Sequence, residues 1–212
     1  MGSLVNPHDL LRLKADACVF ADAPAWVAAS LERAPFVVVR RARAIDGRVA
    51  IGIRGAVRSE RFGSWIGLQH VEAVLTPEML KSAKPHQNRA DLPAFNLLQA
   101  ITSICDASEL AWGPAGSVGF ELASERATVT DQSDLDLLMR APEPLDRPAA
   151  KLLFDALSAA ASERAIRIDV QIETHEDAFS LAEFVHPGAR VMLRSADGPK
   201  LVADPWQTSR AA

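Results

Sequence analysis

Residues 166–172 alternate Ile166, Ile168, Val170 and Ile172 with Arg167, Asp169 and Gln171. An alternation of period two sends the apolar side chains to one face of a strand and the polar ones to the other. The segment therefore predicts a half-buried β-strand that carries Asp169 on its polar face. Such a strand needs a sheet beside it and an apolar layer beneath it, and the flanking patterns offer both. Leu152, Leu153, Leu157 and Ala160 recur at helical spacing within residues 149–163, as do Phe95, Leu98 and Ile101, followed by Ile104 and Cys105, from residue 92 onward. Between these helices lie a short strand at residues 110–112, the turn Gly113-Pro114-Ala115-Gly116-Ser117, and a strand-like run at 135–139 closed by Ala141-Pro142. Helices and strands mix throughout, so the fold class is α/β or α+β, built on a mixed sheet.

The first part of the chain reads differently. Asp22 is a candidate N-cap for a helix over residues 25–33. Strands follow at 36–43 and 48–54, with Asp46-Gly47 as the hairpin turn between them, and another at 69–75. Thr76-Pro77-Glu78 has the form of a helix start. Residues 84–89 are polar and contain Pro85, which predicts a linker there. That divides the chain into a strand-rich domain at 1–88 and a catalytic domain at 89–212. A short helix at 178–184 and strands at 190–194 and 200–203 complete the expected elements.

The 212 residues are 49% hydrophobic and 24% charged, enough apolar surface for a real core. No apolar run is long enough to span a membrane, and Met1-Gly2-Ser3-Leu4 has neither the basic nor the apolar region of a secretory signal. A cytoplasmic protein without a membrane partner is the expectation. The net charge of −4 gives no general attraction to nucleic acid. Charge is uneven, however. Residues 36–64 hold seven arginines (Arg40, Arg41, Arg43, Arg48, Arg54, Arg58 and Arg61) against Asp46 and Glu60. Two readings are open for that stretch, a solvated hairpin face or a contact for an anionic partner. Cys18 and Cys105 lack a second Cys or His at metal-ligand spacing and read as two buried thiols.

Asp134 and Asp136 stand two positions apart on a predicted strand, so both side chains point the same way. Carboxylates held that close repel unless a cation lies between them, which makes the pair a ligand set for Mg²⁺ or Mn²⁺. If the strand carrying Asp169 is a neighbour, three carboxylates converge, as two-metal chemistry requires. Gly116-Ser117 supplies backbone N–H groups and a hydroxyl suited to a phosphate. The turn has no Lys-Ser/Thr after it, so it is not a Walker A loop, and its glycine spacing is not that of a dinucleotide-binding fingerprint. His175, among Glu173, Glu176 and Asp177, reads as an exposed residue of an acidic helix start. Trp26, Trp65 and Trp206 read as core, and Trp112 beside the turn as core or as a nucleotide contact.

The order helix, strand, Gly-Ser turn, Asp-x-Asp strand, helix and Asp-bearing strand resembles the DNA polymerase β-type nucleotidyltransferase superfamily. More narrowly, the run from Trp112-Gly113-Pro114 through Gly116-Ser117-Val118-Gly119-Phe120-Glu121-Leu122-Ala123 is similar to the malonate decarboxylase holo-acyl-carrier-protein synthase family. Ser133-Asp134-Leu135-Asp136-Leu137-Leu138, Gly52-Ile53-Arg54-Gly55-Ala56-Val57-Arg58-Ser59-Glu60-Arg61, Ile168-Asp169-Val170-Gln171 and Asp204-Pro205-Trp206 fit the same family. One departure stands out. Sixteen residues separate Ser117 from Asp134, more than the superfamily's usual short spacing, and Thr130-Asp131-Gln132-Ser133 reads as an inserted turn.

The resemblance implies transfer of phosphoribosyl-dephospho-CoA from triphosphoribosyl-dephospho-CoA to a serine of the apo acyl-carrier subunit of malonate decarboxylase, with release of pyrophosphate. Asp134, Asp136 and Asp169 would be the catalytic and metal-binding residues for Mg²⁺ or Mn²⁺, with Asp169 either a ligand or the base. Gly116, Ser117, Arg54, Arg58 and Arg61 would bind substrate, the arginines also being suited to an acidic carrier protein. Two other functions fit the same residues. One is a nucleotidyltransferase that adenylylates another protein or a small molecule. The other is a non-catalytic module that binds a carrier protein through its arginines.

Overall fold

The computed structural model describes residues 5–17, 20, 22–57, 59–188 and 190–207. The chain forms two compact units, Met1–Thr76 and Pro77–Ala212. The polar stretch at 84–89, expected to be the linker, lies inside the second unit, where Arg89 is ion-paired to Glu121. The helices and two separate sheets make the fold α+β.

The first unit is an antiparallel sheet of five strands: β1 Leu10–Leu13, β2 Phe36–Val39, β3 Val49–Arg54, β4 Arg61–Ile66 and β5 Val71–Leu75, in the order β4-β3-β2-β1-β5. β1 and β4 carry no strong alternation and were not expected as strands. The helix α1, Ala25–Arg33, has the expected bounds, but its N-cap is Pro24 rather than Asp22 and no side chain caps it. Val5, Leu11, Leu13, Val27, Val37, Val39, Ile51, Ile53 and Ile66 form the core of this unit. β3 shows why. Ile51 and Ile53 turn inward while Gly52 and Arg54 turn to the opposite face, as period two requires. The hairpin between β2 and β3 turns at Asp46 and Gly47, with φ of 51° and 71°, the positive pair that a type I′ turn needs.

The second unit holds the other sheet, with strands β6 Ala111–Pro114, β7 Leu135–Arg140, β8 Ile168–Glu173, β9 Ala178–Ser180, β10 Val191–Ser195 and β11 Gly198–Val202, paired in sequence order from β11 to β6. Every pairing is antiparallel except β7 with β8. A parallel pair needs a crossover, and α5, Arg147–Ser162, provides it. Asp146 caps α5 by accepting the Ala149 N–H at 3.0 Å, an interaction worth about 1 kcal/mol. The short α2, Pro77–Leu80, opens this unit, and α5 packs with α3, Pro93–Ala107, over one face of the sheet. Leu135, Leu137 and Met139 from β7 and Ile172 from β8 are almost fully buried, each stabilising the fold by about 1.5–3 kcal/mol relative to exposure. The segment expected to be one helix at 178–184 splits into β9 and the short α6, Leu181–Phe184. Ala178 and Phe179 are needed as ladder partners of Glu173 and Ile172, so sheet pairing prevails there over helical spacing. Among the described residues no helix is long and apolar enough to cross a membrane.

Candidate active site

The strand register brings two of the three expected carboxylates opposite each other. Asp136 on β7 is the direct partner of Asp169 on β8, so their side chains leave the same face of neighbouring strands about 4.8 Å apart at the backbone. Asp134 lies just before β7, two positions from Asp136 and hence on its side of the strand. Its Oδ2 is 3.7 Å from Arg167 Nη2 in an exposed pair, a contact worth about 0–1 kcal/mol. Asp134 and Asp136 are partly exposed and Asp169 is exposed. Asp134 and Asp136 follow one another along β7, and Asp169 lies across from Asp136 on β8. Among the described residues no three His, Cys, Asp or Glu side chains form a ready-made metal cluster.

Gly116-Ser117 meets Asp136 directly. The two residues open a helix rather than a loop: α4, Gly116–Ser124, begins where β6 ends. The Ala115 N–H donates to the Asp136 carbonyl at 2.9 Å. Gly116 has φ +57°, and a Cβ built on it would stand 1.8 Å from Asp136 Oδ2. The Asp136 carboxylate thus fills the space that any side chain at position 116 would need. No side chain caps α4 at its N-cap Ala115. Its first N–H groups carry partial positive charge, and a carboxylate held near them is favoured by about 0.3–1 kcal/mol. The long interval before Asp134 has a simple composition: the rest of α4, then a loop tied back to the helix. A pair of carboxylates beside a helix N-terminus can take a small divalent cation together with phosphate oxygens. Mg²⁺ commonly uses one or two protein carboxylates and completes its shell from phosphates and water. The cradle at Gly116 and the oxygen donors of Asp134 and Asp136 fit such an ion without a third protein ligand.

The expected arginines belong to the other unit. Arg54 and Arg61 are register partners on β3 and β4, both exposed, although like charges directly opposite each other disfavour an antiparallel pair. Arg58 lies outside the described residues. One arginine not singled out from the sequence shares their face: the Arg40 side chain crosses the paired glycines Gly52 and Gly63, close to where a Cβ on either would be. Trp112, read as core or as a nucleotide contact, is 1% exposed, and its Nε1 donates to Asp106 at 2.8 Å. The Asp106 carboxyl is held below its usual range by that bond and by Lys81. Trp206 is likewise core, against Phe179 and Phe184, with Nε1 donating to the Ala141 carbonyl. Cys105 is buried and free, its thiol pushed up to about 12 by burial and then by Asp106. Cys18 lies outside the described residues.

Glu121 and Arg89 were also not foreseen. Glu121 is buried on α4 and accepts both Arg89 Nε and Nη2 as well as two backbone N–H groups. Burial alone pushes its carboxyl upward; Arg89 and the Val129 and Thr128 N–H groups outweigh it and hold the carboxyl below the usual range. A single acid among Val118, Gly119, Phe120, Leu122 and Ala123 was the signal available in the sequence.

Comparison with known proteins gives the chain its relatives. Residues 6–77 match the phosphoribosyl-dephospho-CoA transferase MdcG N-terminal domain, and residues 79–205 match the C-terminal domain of the same family. The chain is 42% identical to the phosphoribosyl-dephospho-CoA transferase of Pseudomonas fluorescens Pf-5, over 97% of this chain and 96% of that protein. It is 41% identical to that of Pseudomonas aeruginosa PAO1, over 95% and 94%. With that of Azotobacter vinelandii it shares 38% identity over 96% and 95%. No solved structure matches. The protein is an enzyme of the transferase class. It belongs to the MdcG family of phosphoribosyl-dephospho-CoA transferases.

Proposed function

We propose that this transferase moves the phosphoribosyl-dephospho-CoA group from triphosphoribosyl-dephospho-CoA to a serine hydroxyl of the apo acyl-carrier subunit of malonate decarboxylase. The serine oxygen forms a bond to the phosphorus next to the ribose. The bond from that phosphorus to the two outer phosphates breaks, and they leave as pyrophosphate. The observation that carries the reading is the Asp136 carboxylate seated against Gly116 with Asp169 beside it in register.

Each residue has a task in this reading. Asp134 and Asp136 would hold Mg²⁺ or Mn²⁺, with Asp169 completing the metal shell or receiving the serine proton. A divalent ion bound there supplies charge neutralisation to the triphosphate and the leaving pyrophosphate. The N–H groups at the start of α4 and the Ser117 hydroxyl orient phosphate oxygens. Arg54, Arg58 and Arg61, helped by Arg40, bind the anionic substrate or the carrier. A cytoplasmic setting belongs to the reading, and the buried free thiol of Cys105 suits it.

The test incubates the enzyme and apo carrier with labelled triphosphoribosyl-dephospho-CoA or labelled ATP, each with Mg²⁺ or with EDTA. Label on the carrier from the first donor, lost with EDTA, is the expected result. Label from ATP alone would establish an adenylylating enzyme instead. Asp134→Asn and Asp136→Asn should each lower kcat by at least about 10³-fold with the fold retained; full transfer activity in both would remove the pair from the reaction centre. Arg54→Ala should raise KM about ten-fold at nearly constant kcat.

A further inference from the structure

The loop that carries the chain from α4 to Asp134 is held by one carboxylate. Glu121 Oε2 accepts the backbone N–H of Thr128 at 2.6 Å, that of Val129 at 2.7 Å and Arg89 Nη2 at 3.0 Å, while Oε1 accepts Arg89 Nε. Arg89 Nη2 also donates to the Val129 carbonyl at 2.6 Å. The loop so fixed reaches both halves of the site. Backward, the Thr128 hydroxyl donates to the Ser117 carbonyl at 3.0 Å. Forward, the Thr130 N–H donates to Ser133 Oγ at 2.9 Å and the Ser133 N–H to the Thr130 carbonyl at 3.1 Å, closing the turn that delivers Asp134.

A buried ion pair is a poor device for stability alone, because desolvation consumes most of its Coulombic gain and apolar replacements are often as stable. A buried carboxylate with its acceptor capacity filled is instead a rigid pin. This one ties a segment from before α3 (Arg89), the middle of α4 (Glu121) and the loop (Thr128 and Val129). We infer that Glu121 and Arg89 are positioning residues. Acting through Thr128, they fix the Gly116-Ser117 phosphate cradle relative to Asp134 and Asp136. The inference rests on those residues being the reaction centre.

The contact that separates positioning from plain stability is the Thr128 hydroxyl. Thr128 is exposed, so Thr128→Val removes the tie to Ser117 while leaving the Glu121–Arg89 pair untouched. Thr128→Ser should restore it. The assay is transfer to the apo carrier by the full chain, with kcat and KM measured for Thr128→Val, Thr128→Ser, Glu121→Gln, Arg89→Lys and Asp136→Asn beside thermal unfolding. Misplacement of a reacting group by a fraction of an ångström lowers kcat rather than affinity. Thr128→Val should therefore lose about ten-fold in kcat at unchanged KM and unfolding temperature, and Thr128→Ser should recover it. Glu121→Gln and Arg89→Lys should lose more in kcat than Thr128→Val. If either proves too unstable to assay, the Thr128 pair decides alone. Loss of activity in Asp136→Asn with wild-type kcat in Thr128→Val sinks the positioning role by itself. Activity in both sinks the reading of the centre beneath it.

Discussion

Gly52 and Gly63 of the N-terminal unit, and Gly113 and Gly116 of the C-terminal one, leave little or no room for a side chain, and the neighbours that crowd them differ in kind. In the N-terminal sheet Gly52 and Gly63 face the Arg40 side chain, a flexible partner at an exposed surface. In the C-terminal unit Gly113 on β6 faces the backbone of Pro77, and Gly116 at the start of α4 faces the Asp136 carboxylate. A long side chain can swing away at the cost of a rotamer, whereas a backbone, or a short side chain such as Asp136 whose own Cβ lies 3.0 Å away, has little room to do so. The first pair makes room for a movable cation. The second pair sets how closely a helix start approaches its neighbours, for Gly116 the strand that carries Asp136. Tolerance to an added methyl group should therefore divide along the same line.

The largest effect is expected at Gly116. Alanine there combines a left-handed backbone, costing about 1–2 kcal/mol, with a Cβ 1.8 Å from Asp136 Oδ2. The carboxylate must leave its place, so transfer should fall by at least about 10²-fold, comparable to removing a positioned catalytic group. A Gly116→Ala enzyme with near-normal kcat would show that the contact with Asp136 is incidental. Gly113→Ala should act on the fold. Its Cβ would lie 1.8 Å from the Pro77 carbonyl oxygen, so strand and helix start must separate. Overpacking of this kind costs about 1–3 kcal/mol, which for a chain of this size lowers Tm by about 2–12 °C. An unchanged Tm would mean that the segment at Pro77 shifts freely.

The two sheets also differ in how far their sequence announced them. The period of residues 166–172 gave strand β8 and the face of Asp169, and the Asp134/Asp136 spacing gave their shared side, because both follow from local geometry alone. The pairing of Asp136 with Asp169 is set by the parallel register through α5, and no local pattern specifies that offset. α4 was hidden because its first residues, Gly116 and Ser117, have turn propensity; packing and the pin on Glu121 decide the outcome. The polar residues 84–89 looked like a linker because the partner of Arg89 is 32 residues away. The boundary observed at Thr76 and Pro77 sits instead at the helix start marked by Thr76-Pro77-Glu78.

The same pin gives an effect of intermediate size. The Glu121 carboxyl is held below its usual range by Arg89 and two N–H donors, despite burial. A depressed carboxyl contributes stability that is fully present above its unfolded value of about 4.3 and is lost as pH falls through its folded value. Unfolding followed from pH 7 down to pH 3 should show wild type losing stability below about pH 4.5, with Glu121→Gln lower at pH 7 but flatter over that range. Parallel acid limbs in the two proteins would remove Glu121 from the account. They would also reduce the contrast between the sheets to packing alone.

The smallest effect is expected on the arginine face. Gly63→Ala puts a Cβ 2.4 Å from Arg40 Nη1, the far end of a flexible side chain, with the Ile51 carbonyl no closer than 4.0 Å. Alanine in a strand interior also recovers about 0.5–1 kcal/mol that glycine loses in the unfolded chain. The two terms nearly cancel, so Tm should move by less than about 2 °C. The guanidinium, however, must leave the glycine surface. If Arg40 serves anion binding with Arg54 and Arg61, KM for the transfer should rise a few-fold while kcat holds, because uniform binding is what is lost. A Tm loss as large as that of Gly113→Ala would show Arg40 to be locked in place, and the distinction between a movable and a fixed neighbour would fail at its tolerant end.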